Sequence, residues 1–106
     1  MQWIEIASVD AFPPGTCRTL EVDGLPVAVF NVEGNYFAIS DTCTHETQTL
    51  SDGFIEDHEV VCPRHGSRFS LITGAALSPP AYEPIATFPV RIEDGMVKLG
   101  TVAKAG

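Results

Sequence analysis

Basic residues are scarce in this chain: six Lys and Arg stand against 14 Asp and Glu, a formal net charge of -8. Affinity for nucleic acid comes largely from neutralising phosphates with Lys and Arg, so the balance argues against that class of partner. Cysteine is scarce as well, and its number is odd, three in all. A secreted disulfide scaffold usually brings four, six or eight. In a reducing cytosol, Cys placed beside His favours a metal over a disulfide. No apolar run approaches the ~18 residues that span a bilayer. The opening residues, Met1-Gln2-Trp3-Ile4-Glu5, have neither the basic region nor the apolar core of a signal peptide. There is no low-complexity run, and 44% of the residues are hydrophobic, so disorder is not expected. These absences predict a cytoplasmic globular protein with no membrane partner.

At 106 residues the chain is expected to be one domain, 1–106, with a modest core. A metal centre tying two distant loops together would help to hold it. The acidity suits solubility, and it also suits a partner with a basic face, because complementary charge raises association rates.

Strand signals dominate. Residues 2–7 alternate, and Phe12-Pro13-Pro14-Gly15 then breaks the chain. Residues 16–22 and 25–32 read as strands around Asp23-Gly24, a hairpin signal. The second of these is almost continuously apolar, as a strand covered on both faces would be. Glu33-Gly34-Asn35 turns the chain into 36–40. From Asp41 to Asp57 no period is visible. Val60-Val61 is a short strand, and 67–72 resumes strand character up to Thr73-Gly74. Ser78-Pro79-Pro80 and Pro84 break the chain again. Residues 85–92 and 96–99 flank Glu93-Asp94-Gly95 as a last hairpin, with Pro89 marking an edge or a bulge. The expected fold is all-β, a small sandwich or barrel with inserted loops and a loose tail after Gly100.

Between these strands lie two short loops that carry chemistry, Cys43-Thr44-His45 and Cys62-Pro63-Arg64-His65, with sixteen residues between His45 and Cys62. Thiolate and imidazole both bind borderline and soft metals. One reading is a closed tetrahedral zinc site. The other is two sulfide-bridged irons. The familiar zinc-finger signature pairs Cys with Cys and His with His. Here each loop is mixed, Cys-x-His and then Cys-x-x-His. Each loop can therefore place its Cys on one iron and its His on the other, as in Rieske centres.

Cys43-Thr44-His45 and Cys62-Pro63-Arg64-His65-Gly66-Ser67 resemble the two boxes of the Rieske family. The length, the acidity and the Ser78-Pro79-Pro80 loop are similar to bacterial Rieske-type ferredoxins of multicomponent ring-hydroxylating dioxygenases, of the biphenyl, cumene or carbazole type. The resemblance runs from about Trp3 to Leu99. It implies a Rieske-type sandwich in which a cluster-binding subdomain, about 41–80, is inserted into a β basal domain. It implies one [2Fe-2S] cluster held by Cys43, His45, Cys62 and His65, with the His-ligated iron near the surface. Two neutral imidazoles in place of two thiolates make the site less anionic, so an added electron is held more easily than in an all-Cys ferredoxin.

Within the family, the high-potential members of respiratory complexes carry one more Cys in each loop, joined as a disulfide. Here those positions are Gln48 and Arg64, and no bridge forms. Those members also place a hydroxyl donor two residues after the position of Ser67, where this chain has Phe69. Hydrogen bonds to sulfur stabilise the reduced state, so losing one lowers the potential. Ser67 remains as a donor. A centre near the bottom of the range of about -150 to +300 mV is expected.

Around the boxes, Pro79 and Pro80 read as a stiff loop over the cluster, and Gly66 as a point of close backbone approach. Arg64 and Arg68 are expected to tune the centre or to pair with Glu46 or Asp52. The acidic residues between the boxes, Glu46, Asp52, Glu56, Asp57 and Glu59, are expected to form a rim that meets partners. His58 reads as a surface residue, Cys17 as a buried small hydrophobe, and Trp3 as core or edge packing.

The resemblance implies a monomeric one-electron carrier that is not catalytic alone. It would take electrons from a flavin-containing NAD(P)H-dependent ferredoxin reductase and pass them to a terminal Rieske oxygenase. No second iron site or large catalytic domain is visible in the sequence. The alternatives are a small Rieske-like subunit of a nitrite reductase and a zinc-stabilised interaction module.

Overall fold

Asp23-Gly24, Glu33-Gly34 and Asp94-Gly95 have positive φ at both positions, the type I′ geometry that matches the twist of a hairpin. In this computed structural model, which describes residues 2–41, 49–63, 66–78 and 83–104, the three turns join consecutive strands. The first links β2 (Cys17–Val22) to β3 (Leu25–Val32), and the second links β3 to β4 (Asn35–Ser40). The third links β9 (Val90–Glu93) to β10 (Met96–Gly100). A fourth hairpin joins β5 (Phe54–Glu56) to β6 (Glu59–Val61) through Asp57-His58, also with positive φ and with no glycine. The remaining strands are β1 (Trp3–Ser8), β7 (Arg68–Ser70) and β8 (Thr87–Phe88). Among the described residues the only helical segments are two short 3-10 turns, Val9–Ala11 and Leu50–Asp52.

These strands form three antiparallel sheets, ordered β1-β10-β9, β2-β3-β4-β8 and β5-β6-β7. The middle sheet is covered on both faces, which explains the continuous apolar run of β3. Val27 and Val29 point to one core with Phe12, Val97 and Leu99, the last two from β10. Ala28 and Phe30 point to the other with Val60, Phe69, Leu50 and Cys62. Side chains alternate along a strand, so one strand feeds two cores. The polar exception in β3, Asn31, is satisfied: it donates to the Phe12 carbonyl at 2.8 Å and accepts from Gly34 N at 2.8 Å.

The proline inside the last long strand pattern acts as the sequence suggests. Pro89 separates β8, which pairs with β4, from β9, which pairs with β10, so the chain changes sheets there. The first and last strands pair with each other through β1 and β10. Beyond β10 the chain is tied down, contrary to the loose tail expected: Thr101 N donates to Gln2 O at 3.1 Å and Lys104 N to Thr87 O at 2.7 Å.

Gly74 is the position where glycine is required twice over. Its φ is +81°, and an added Cβ would collide with the Ile85 carbonyl oxygen and crowd the Thr87 side chain. Its own backbone bonds Ser70 O through N–H and Ile85 N through C=O, both at 2.8 Å. Gly74→Ala is expected to lower stability by about 2–5 kcal/mol, combining left-handed strain with a backbone clash. Chemical denaturation of the purified protein measures it.

Candidate metal centre

Three stretches of chain leave the β scaffold or return to it around one core, at 41–51, 62–67 and 74–85. Asp41 follows β4. Its backbone N–H donates to Pro26 O at 3.0 Å, and its carboxylate accepts from both Ser51 N and Ser51 Oγ at 2.7 Å. Leu50, beside Ser51, is fully buried in the same cluster as Cys62, Leu71 and Ile85. Cys62 follows β6. Its N–H donates to Ser67 O at 2.7 Å, and its carbonyl accepts from Gly66 N at 3.1 Å, which closes a tight loop. Ile85 N bonds Gly74 O and closes the stretch that contains Ser78-Pro79-Pro80. Ser78 itself docks on β7, its Oγ accepting from Arg68 N at 3.0 Å.

Of the four residues expected to hold metal, Cys62 is described. Its thiol is free and 2% exposed. Cys43, His45 and His65 lie outside the described residues, as do Glu46, Gln48, Arg64, Pro79 and Pro80. Among the described residues no group of three or more His, Cys, Asp and Glu forms a metal-binding array.

The chemistry at Cys62 suits an iron–sulfur cluster. Ser67 is fully buried, and its Oγ has no hydrogen-bond partner among the described residues. A buried hydroxyl left unpaired costs about 1–3 kcal/mol, so an orphan of this kind calls for an acceptor. It lies in the closed loop that Cys62 begins, where an acceptor sulfur would meet it. Gly66, at φ +74°, supplies a left-handed residue for that loop, and a Cβ there would meet nothing within 4 Å.

Arg68 pairs with Glu56 at 2.7 Å and with Glu59 at 3.4 Å; of the two partners expected, Asp52 is not paired with it among the described residues, and Glu46 lies outside them. The pairing has a local cause. Glu56 and Glu59 stand directly opposite each other across β5 and β6, where like charges repel, and Arg68 on β7 reaches both. The Glu56 hydrogen bond leads the causes that raise the Arg68 pKa. Asp52 instead accepts from the Thr49 hydroxyl.

Cys17 is half-buried, not fully buried as expected, and packs against the core that contains Cys62. Burial, reinforced by Asp41, pushes its pKa up to about 11, so the thiol stays protonated at neutral pH. It lines a groove of about 700 Å³ with Phe30, Phe54 and Ile55. His58 is partly buried and meets the Phe37 ring edge-on at 5.8 Å, and its carbonyl accepts from Leu71 N, so it serves packing. Trp3 lies on an outer strand, with the Arg91 guanidinium 4.2 Å from its ring centre.

Comparison with known proteins bears on this arrangement. The family profile for the Rieske [2Fe-2S] domain matches residues 2–89. A relative from a Ralstonia species, the ferredoxin component of naphthalene 1,2-dioxygenase/salicylate 5-hydroxylase systems, is 41% identical over 97 residues, covering 92% of this chain and 93% of that protein. Among solved structures, a chain from the complex of reduced oxygenase and oxidized ferredoxin in carbazole 1,9a-dioxygenase superposes with a TM-score of 0.91 at 32% identity, covering 98% of this chain and 97% of that chain. A putative NADH-dependent nitrite reductase small subunit from Mycobacterium tuberculosis has a TM-score of 0.82 at 22% identity, covering 99% of this chain and 96% of that chain, a likeness of fold alone.

Proposed function

Because this chain belongs to the Rieske [2Fe-2S] domain family, we propose that it is the ferredoxin component of an aromatic ring-hydroxylating dioxygenase system. It is an electron carrier and is not catalytic alone. When bound, a Rieske-type [2Fe-2S] cluster supplies one-electron redox chemistry. Cys43 and Cys62 would hold one iron through thiolates, and His45 and His65 the other through imidazoles. The chain forms one domain, with 41–80 as its cluster-binding part. It works as a monomer in the cytoplasm. One partner is a flavin-containing NAD(P)H-dependent reductase and the other a terminal Rieske oxygenase. Among the described residues no helix is long and apolar enough to cross a membrane.

The observation that carries the site is the buried Cys62 thiol in one closed loop with the Ser67 hydroxyl, which has no partner among the described residues. The dioxygenase reading is favoured over the nitrite-reductase one because full-length relatives of the first kind share far more identity than fold alone requires.

Reconstitution tests the reading. Purified protein is expected to contain iron and acid-labile sulfide, to give a Rieske EPR signal when reduced, and to couple a reductase to product formation by an oxygenase. The chain is acidic, at -8, so the rate of electron transfer to a basic partner should fall several-fold as ionic strength rises from about 10 to 200 mM. A colourless zinc protein without an EPR signal would defeat the carrier reading. Rates indifferent to salt would defeat the acidic rim.

A further inference from the structure

Asp41 is a buried carboxylate with an unusual set of duties. It is 3% exposed, and it sits two residues before Cys43. Its two carboxylate oxygens take the two donors of a single residue: Oδ1 accepts from Ser51 N and Oδ2 from Ser51 Oγ, each at 2.7 Å. Its own N–H is held by Pro26 O at the start of β3, and the preceding residue, Ser40, bonds Ala86 O at 2.9 Å. On the far side Ser51 follows Leu50, fully buried against the core that holds Cys62.

Burying a carboxylate is an expensive way to join two pieces of backbone, and an apolar contact would do so at less cost. Two charge-assisted bonds to one residue fix both distance and orientation, which an apolar contact does not. What lies between the two residues is the sequence that contains Cys43 and His45. We propose that the Asp41–Ser51 pair is a positioning clamp for the first metal-binding loop. It holds the ends of the 41–51 stretch in register with Cys62, so that less ordering is left for cluster binding to enforce. The proposal rests on the reading of Cys43, His45, Cys62 and His65 as cluster ligands. Asp41 touches no metal in this scheme and acts through the loop.

The test uses the cluster-loaded protein and four variants. Bleaching of the visible absorbance under chelator gives the rate of cluster loss, EPR of the reduced protein gives the g-values, and thermal denaturation gives overall stability. Asp41→Ala is expected to lose its cluster about tenfold faster or more, from the loss of charge-assisted hydrogen bonds, and to shift or broaden the g-values. Asp41→Asn is expected to stay close to the natural protein: its amide oxygen accepts from Ser51 N, and its NH2 donates to the Ser51 hydroxyl. Ser51→Ala keeps the backbone bond and is expected to fall between the two, and it carries the test if Asp41→Ala does not accumulate. Val97→Ala, in the opposite core, is the control; it lowers the melting temperature while leaving cluster loss and g-values unchanged. The clamp is overturned if Asp41→Ala and Ser51→Ala keep the cluster as long as the natural protein. It is equally overturned if cluster loss follows the melting temperature alike in these variants and in Val97→Ala. A natural protein with no Rieske signal would instead defeat the ligand reading, and the clamp with it.

Discussion

Cys62→Ala is expected to give a folded, colourless protein. Iron and acid-labile sulfide should both fall to near zero, and the reduced sample should show no EPR signal. One iron would keep only the Cys43 thiolate, and the core cluster that Cys62 shares with Leu50, Phe69, Leu71 and Ile85 is apolar and offers no replacement. The fold should survive, because removing one sulfur atom from that core leaves a small cavity costing about 1–2 kcal/mol. Cys17→Ala is the matched comparison. The Cys17 thiol is half-buried and pushed up to about 11, a poor metal ligand at neutral pH. That variant should stay coloured with its EPR spectrum intact. Iron analysis and EPR of the two, side by side, decide which cysteine belongs to the site; a coloured Cys62→Ala protein would remove Cys62 from it.

Ser67→Ala should move two measurements in directions that a merely damaged protein would not. In the cluster-loaded protein the Ser67 hydroxyl would donate to sulfur and favour the reduced, more negative state. Without it the midpoint potential should fall by about 60 mV or more, since ~1.4 kcal/mol corresponds to about 59 mV for one electron. The natural protein should itself lie below zero, since Phe69 stands where a second hydroxyl donor is found in high-potential relatives. In the cluster-free protein the same substitution removes a fully buried hydroxyl that has no partner among the described residues. Stability there should hold or rise by about 1 kcal/mol, because the desolvation cost of that hydroxyl disappears. Protein-film voltammetry reads the first effect and urea denaturation the second. An unchanged or raised potential would show that Ser67 is not a donor to the cluster.

The strands were legible where hairpin chemistry marked them. Asp23-Gly24, Glu33-Gly34 and Asp94-Gly95 announce their turns, and the strands beside them stand within a residue of the expected bounds, except that the strand expected over 85–92 is divided at Pro89 into β8 and β9. The β5–β6 hairpin was not legible, because its turn is Asp57-His58, and neither residue signals left-handed backbone as glycine does. The pairing of β1 with β10 joins opposite ends of the chain, so no local pattern could reveal it. At the site, residue types were readable and partners were not. The Cys and His spacing pointed to the Rieske family, yet the partners of Arg68 follow from the register of β5, β6 and β7, and the role of Asp41 from a fold that brings Ser51 back to it. The proposed ligands Cys43, His45, Cys62 and His65 rest on sequence and family, and the structure adds that Cys62 and Ser67 are buried in one loop.

The double burial of β3 gives its positions a parity. A substitution at 27 or 29 is felt by the wall shared with β10, where the chain's two ends are sewn together. A substitution at 28 or 30 is felt by the wall behind Cys62. Odd positions therefore answer to the wall where the chain's ends meet, and even positions to the wall behind Cys62. A lineage can rework one set while leaving the other alone, so that the two walls drift separately along a single eight-residue strand.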